Sequence, residues 1–135
     1  MADEQQTDFG EVTEDERNLA LIMHLLGGLF GFVSPLIFWL VKKDDSQFID
    51  QHGKGALNFH LSTLIYIFGI AIIIVLPLFL LTIASLGLGF VILIPVLLGV
   101  VGFSFVYLWV CCTLAAMQAN RGETCRYPLT ISFIK

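Results

Sequence analysis

The chain has 135 residues, of which 57% are hydrophobic and only 13% carry a charged side chain. Its mean hydropathy is +0.87. A soluble domain of this size exposes so much of its surface that it needs more polar residues, so the composition argues against a soluble globular protein. The net charge of −4 comes largely from acids near the N-terminus, and the seven Lys and Arg residues are scattered, which argues against nucleic-acid binding.

The first segment, 1–13, is acidic and nearly free of apolar residues, so we expect it to be a disordered tail. It ends at Thr13, and Glu16 follows three residues later, which is the pattern of a helix capping box. No basic residue precedes Arg17 and no small-residue cleavage site follows Val41, so a cleaved signal peptide is not indicated. A retained helix is therefore predicted to begin near residue 14.

This first helix is predicted over 14–41, because residues 18–41 carry no charged side chain and about 20 apolar residues cross a bilayer core. Proline removes a backbone donor, so Pro35 is expected to kink the helix. The small residues Gly27 and Gly31 are predicted to form a face on which a neighbouring helix packs closely.

The long uncharged stretch 55–120 has room for two more spans. A helix is predicted over 46–81, with an amphipathic interfacial stretch at its start, and another over 90–120. Cutting this stretch into three short spans is the alternative, but almost no polar turn residues are available for it. The fold class is therefore an all-α integral membrane protein, a bundle of three transmembrane helices in one domain, 14–135. After the last helix, 127–133 alternates in polarity and predicts an extended segment on the membrane surface or against the bundle.

The basic residues predict an orientation. With three spans, the loop at 42–55 and the C-terminal tail share one side of the membrane, and that side holds six of the seven Lys and Arg residues, whereas the other holds only Arg17. Positive residues favour the cytoplasmic side, so the N-terminus is expected outside and the C-terminus in the cytoplasm.

Two histidines, His24 and His60, are the candidate polar residues inside the membrane. Polar groups in a bilayer usually face the interior of the bundle, so a neutral imidazole hydrogen-bonded to another helix is the simpler interpretation, and proton or ion handling is the sharper one. His52 and His60 are eight residues apart, whereas two ligands on one helix prefer a spacing of about four. The three cysteines form no C-x-x-C pair, so neither a zinc site nor a redox pair is indicated.

A cluster of polar residues is predicted at the membrane interface, where it could bind an anionic lipid or an acidic loop of a partner. Simple anchoring of the helix ends by Lys and Arg is the alternative. The members of this predicted interfacial patch are Asp50, His52, Lys54, Asn58, Arg121 and Arg126.

Motifs of hydrolases are missing from the sequence, which has no G-x-S-x-G, no H-E-x-x-H and no paired buried carboxylates. We therefore expect a protein that is not an enzyme and that carries no cofactor.

Three stretches of the sequence together resemble the MamF-like family of small bacterial membrane proteins. They are ERNLA at 16–20 with HLLG at 24–27, PLIFWL at 35–40 with FIDQHGK at 48–54, and ANRGE at 119–123 with RYPL at 126–129. The family is named for a magnetosome membrane protein and is distantly similar to the Tic-type import subunits of the chloroplast inner envelope. Gly55 and His60 stand where the family pattern has Glu and Gln, so no role of that Glu carries over.

The leading functional hypothesis is a non-enzymatic subunit of a membrane complex or homo-oligomer, with lipid, itself or other membrane proteins as partners, in the bacterial inner membrane. The alternative is a homo-oligomeric channel or carrier whose conduit is lined by His24, Asn58 and His60. The two are separated by the surroundings of these side chains, because a water-filled cavity favours transport and a dry, hydrogen-bonded core favours the subunit.

Overall fold

The computed structural model describes residues 11–135, and within them all regular secondary structure is helical. The α-helices are α1 (Glu14–Phe30), α2 (Val33–Lys42), α3 (Gln47–Ile70), α4 (Leu76–Ala84) and α5 (Phe90–Asn120). A single π-helical turn, Ala71–Val75, joins α3 to α4 without a break.

Helix α1 begins where the capping signal predicts. The backbone N–H of Thr13 donates to the Glu16 carboxylate at 2.9 Å, and the Thr13 hydroxyl accepts from the N–H of Glu16. Val12 packs against a core cluster that includes Ala20 and Phe48. Val12 and Thr13, the last residues of the tail predicted over 1–13, take part in the described fold, whereas 1–10 lies outside the described residues.

The single helix predicted over 14–41 is wrong, because the chain breaks between α1 and α2. Gly31 ends α1 with φ of +62°, a conformation that glycine adopts without the steric cost paid by other residues. Pro35 causes no kink, since it is the third residue of α2 and a helix leaves its first backbone donors unbonded in any case.

The segment formed by α1 and α2 turns back on itself, so its two ends lie together. The Ser46 hydroxyl at the start of α3 donates to the Glu16 carboxylate in the first turn of α1. The side chain of Arg17 lies against Gly122, just after α5. The start of α1, the 42–46 turn and the start of the tail therefore meet at one end of the molecule, which contradicts the predicted separation of the N-terminal end from the tail.

Two helices of the described residues are long and apolar enough to cross a membrane: Gln47–Ala84, which combines α3, the π turn and α4, and α5. The sequence predicted 46–81 and 90–120 for these two. None of the residues in the most apolar stretch of Gln47–Ala84 is buried, unlike those of a core helix in a soluble protein. Within residues 11–135 a third span is not found, because α1 has 17 residues and α2 only 10.

The packed core lies at the end of the molecule where α1, α2, the start of α3 and the end of α5 come together. Ala20, Phe48, Ile49 and Ala119 form one cluster, and Phe59, Cys111 and Cys112 form another. At the opposite end, the turn between α4 and α5 is exposed, with Leu86 97% accessible. The buried polar side chains of His24, His52 and Asn58 lie at the packed end.

Candidate functional site

Two histidines from different helices meet in the core. His24 on α1 and His52 on α3 are each 1% exposed, and His24 Nε2 lies 2.8 Å from His52 Nδ1. His24 is one turn from Ala20 and His52 one turn from Phe48, so each imidazole follows an apolar residue that packs between the same helices. The sequence places His52 at the interface, whereas the structure buries it beside His24.

The neighbours of the pair determine which nitrogen carries each proton. His52 Nε2 lies 3.0 Å from the carbonyl oxygen of Glu123, which can only accept, so Nε2 carries a hydrogen. In a neutral ring His52 Nδ1 is then an acceptor, and His24 Nε2 must donate to it. His24 Nδ1 is left as an acceptor.

Tyr127 in the C-terminal tail completes this chain of hydrogen bonds. Its hydroxyl lies 2.8 Å from His24 Nδ1, and its ring stacks on Phe59 of α3 with centroids 4.3 Å apart. Burial raises the pKa of the Tyr127 phenol well above its usual value, so the hydroxyl keeps its proton and donates it to His24. The bonds therefore run in one direction, from Tyr127 through His24 and His52 to Glu123.

Cys125 lies beside the two rings. One ligand atom each from His24, His52 and Cys125 lies within 4.8 Å of the others, which is a grouping that could hold a metal ion. Burial, with a smaller effect from Cys112, raises the pKa of the Cys125 thiol to about 12, so the thiol is protonated near neutral pH.

His60 stands apart from this chain of hydrogen bonds. It lies two turns after His52 on α3, is 4% exposed, and its Nε2 has no hydrogen-bond partner within residues 11–135. A side chain built at Gly27, one turn after His24 on α1, would come within 3.1 Å of this nitrogen. The predicted close packing is therefore found at Gly27, where the neighbour is the His60 ring of α3. It is not found at Gly31, where no atom lies within 4 Å of a side-chain position.

The predicted interfacial patch is divided among separate environments. Asp50 and Lys54, four residues apart on α3, form an ion pair at 2.6 Å, and Asp50 also accepts from the Trp39 indole at 2.7 Å. Arg121 instead lines a surface hollow near Arg17, and the side chain of Arg126 is exposed.

Asn58, assigned to the same patch, is buried and binds the tail. Its amide nitrogen donates to the carbonyl oxygen of Ile134 at 2.9 Å, and its amide oxygen accepts from the N–H groups of Phe133 and Ile134 at 3.0 and 2.9 Å. Ser62, one turn further along α3, accepts from the N–H of Ile131 at 2.8 Å. The segment predicted at 127–133 therefore packs against the bundle, which is one of the two predicted alternatives.

Sequence reasoning missed the grouping of His24, His52, Cys125 and Tyr127. His24 is 28 residues from His52 and 103 residues from Tyr127 along the chain, and no spacing rule covers such distances. The available signal was indirect, because a polar residue in an apolar helix needs a partner and the tail supplies several.

The described fold defines the class of this protein: a small helical membrane protein with two long apolar helices and a core of hydrogen-bonded polar side chains. The chain belongs to the MamF and MmsF family, the magnetosome magnetite crystal formation protein family, whose model matches residues 15–134. No curated protein and no solved structure is significantly similar to it. The match agrees with the resemblance drawn from the sequence, and the similarity to Tic-type subunits stays an expectation.

Proposed function

We propose that the chain is a non-enzymatic structural or accessory subunit that assembles with itself or with other membrane proteins. The observation that carries this proposal is the way its polar side chains are used. His24 and His52 bond to each other, and Asn58 bonds to the tail, so these groups stabilise the fold of the chain itself. Two apolar hollows are described along the long apolar helices, and neither is lined by a histidine.

The exposed apolar surface of α3 and the π turn supports an assembly role. A hollow on one side of α3 and the π turn is lined by Ile65, Tyr66, Gly69, Ile70, Ile73 and Ile74. No other atom lies within 4 Å of a side-chain position at Gly69, so another helix could approach the backbone there. The occupant we propose is a helix of a second copy or of a partner subunit.

The membrane arrangement that we propose has two crossings. Gln47–Ala84 and α5 cross the bilayer, whereas α1 and α2 enter it as a hairpin and return to the side where they began. All seven Lys and Arg residues then lie on one side, because they precede Gly55 or follow Asn120. Since basic residues favour the cytoplasmic face, this side is the cytoplasm and the membrane is the bacterial inner membrane.

Photo-crosslinking in the native membrane tests the assembly role. A photoreactive residue at Ile73, which is 75% exposed and lines the hollow, is expected to crosslink to protein. The matched control is Leu98 on α5, which is 69% exposed and outside that hollow, and is expected to crosslink mainly to lipid. Crosslinking of both positions to lipid alone would contradict the proposal.

The channel or carrier alternative is tested separately with the purified chain in liposomes. We expect proton and cation flux equal to that of empty liposomes. Flux above this level that disappears in His60→Ala would support the alternative and overturn the subunit role.

A further inference from the structure

We propose that His24, His52 and Cys125 form a binding site for a transition metal ion of the Zn²⁺ type, which joins α1, α3 and the C-terminal tail. This site goes beyond the proposed assembly role and does not depend on it. Each of its three ligands comes from a different part of the fold.

The donor atoms determine which class of metal ion the site prefers. Two imidazole nitrogens and one thiolate sulfur suit Zn²⁺ and related transition metals, whereas Mg²⁺ and Ca²⁺ prefer oxygen ligands. The ligand atoms all lie within 4.8 Å of one another, so a single ion could reach all three with small movements of side chains. Cys111 and Cys112 are outside this group and serve as internal references.

Binding requires a small opening of the histidine pair. Two nitrogens on one tetrahedral zinc ion are about 3.3 Å apart when each Zn–N bond is about 2.0 Å. His24 Nε2 and His52 Nδ1 are 2.8 Å apart, as expected when a proton rather than a metal lies between them. The rings must therefore separate by about half an ångström, which a small rotation of each side chain supplies.

Metal binding changes the tautomer of the His24 ring and deprotonates the Cys125 thiol. The hydrogen on His24 Nε2 is removed and Nδ1 gains one, so the ring stays neutral and now donates to the Tyr127 oxygen. His52 already presents a free lone pair on Nδ1 and needs no change. Cys125 releases its thiol proton to solvent, so binding forms two Zn–N bonds and one Zn–S bond and releases one proton per ion.

The surroundings of the ligands resemble those of known metal sites. A histidine that binds a metal usually donates its other N–H to a carbonyl or a carboxylate, which fixes the ring. His52 makes this bond to Glu123 at 3.0 Å, and Tyr127 is placed to receive the corresponding N–H of His24. Three protein ligands leave one tetrahedral position open for water or another ligand.

Metal binding to the purified full chain in detergent, without a polyhistidine tag, tests the site. Zn²⁺ is measured by equilibrium dialysis with elemental analysis, and Co²⁺ serves as a spectroscopic probe because a Co–thiolate bond gives a charge-transfer band in the near ultraviolet. We expect one ion per chain. Loss of a residue that hydrogen-bonds a metal ligand lowers metal affinity by about 10- to 100-fold. Cys125→Ser removes a ligand itself, so it should lower the affinity by about 100-fold or more. It should also abolish the thiolate band.

Cys111→Ser is the matched control, because it makes the same chemical change at a cysteine outside the group, and it should bind like the parent. Circular dichroism of each variant checks folding, and Tyr127→Phe, which keeps the ring stacked on Phe59, should bind more weakly by about tenfold. The proposal is overturned if folded parent protein binds less than one ion per chain, or if Cys125→Ser retains the affinity and the band of the parent.

Discussion

The side chain of Asn58 shows how one residue can organise a segment far away in the sequence. Both ends of its amide bond the backbone of the tail, and its position on α3 is 6% exposed. Replacing a buried amide that makes three hydrogen bonds is costly. Each buried backbone group that is left without a partner lowers the stability of the fold by about 1–3 kcal/mol.

Asn58→Ala is therefore expected to release the tail without unfolding the helices. Amide hydrogen exchange at residues 129–134 should become faster in the variant, while exchange in α5 stays unchanged. Thr113→Ala is the control, since the Thr113 hydroxyl donates to the Trp109 carbonyl of its own helix and makes no described bond to the tail within residues 11–135. Equal protection of the tail in both variants would show that Asn58 does not hold it.

Sequence reasoning located the important polar residues but assigned several of them to the wrong surroundings. Local rules give the Asp50–Lys54 pair, because both residues lie on one turn of a helix. His52 and Asn58 looked like members of the same surface because they share that stretch of sequence. The partners that bury them, Glu123 and Ile134, follow α5, and nothing local encodes that contact.

Among the elements, the α1–α2 hairpin departs most from what the sequence predicts. An uncharged run such as 18–41 is long enough for one span, and hydropathy alone does not separate a span from a hairpin. Gly31 ends α1 through its backbone conformation, whereas the prediction used it as a packing residue. By contrast, the start of α1 follows from Thr13 and Glu16, because a capping box is a local pattern.

The contact between α2 and α3 depends on Gly53, and this gives a prediction for the hairpin. A methyl group at Gly53 would lie 2.7 Å from Cβ of Trp39, so Gly53→Ala forces the two helices apart. Overpacking of this kind costs about 1–3 kcal/mol. The measurement is resistance to unfolding in a detergent titration, followed by circular dichroism.

Gly102→Ala on α5 is the control for this change, because no atom lies within 4 Å of the added methyl group and Gly102 is outside the hollow proposed for assembly. It should be as stable as the parent or slightly more so, since alanine favours a helix by about 1 kcal/mol over glycine. Loss of stability in Gly102→Ala equal to that in Gly53→Ala would refute the packing explanation.

At the scale of the whole molecule, the contacts between chain ends predict the topology. Cysteines introduced singly at Asp15 and Lys135, both exposed, should react with an impermeant reagent from the same side of the membrane, and one at Leu86 should react from the other side. A Cys125→Ser background removes the half-buried native thiol from this assay. Labelling of Asp15 and Lys135 positions from opposite sides would restore the model with three spans.

The docking of the tail also sets an order in time. Cys125, Tyr127 and the residues that bond Asn58 leave the ribosome only after α5, so every helix is synthesised before its partners in the tail exist. During that interval His24 lacks the hydroxyl that occupies its Nδ1, and the amide of Asn58 has no backbone to bind. The core of this protein is therefore completed after its helices have been made, and a nascent chain arrested before the tail would present these polar groups unsatisfied to the membrane or to a chaperone.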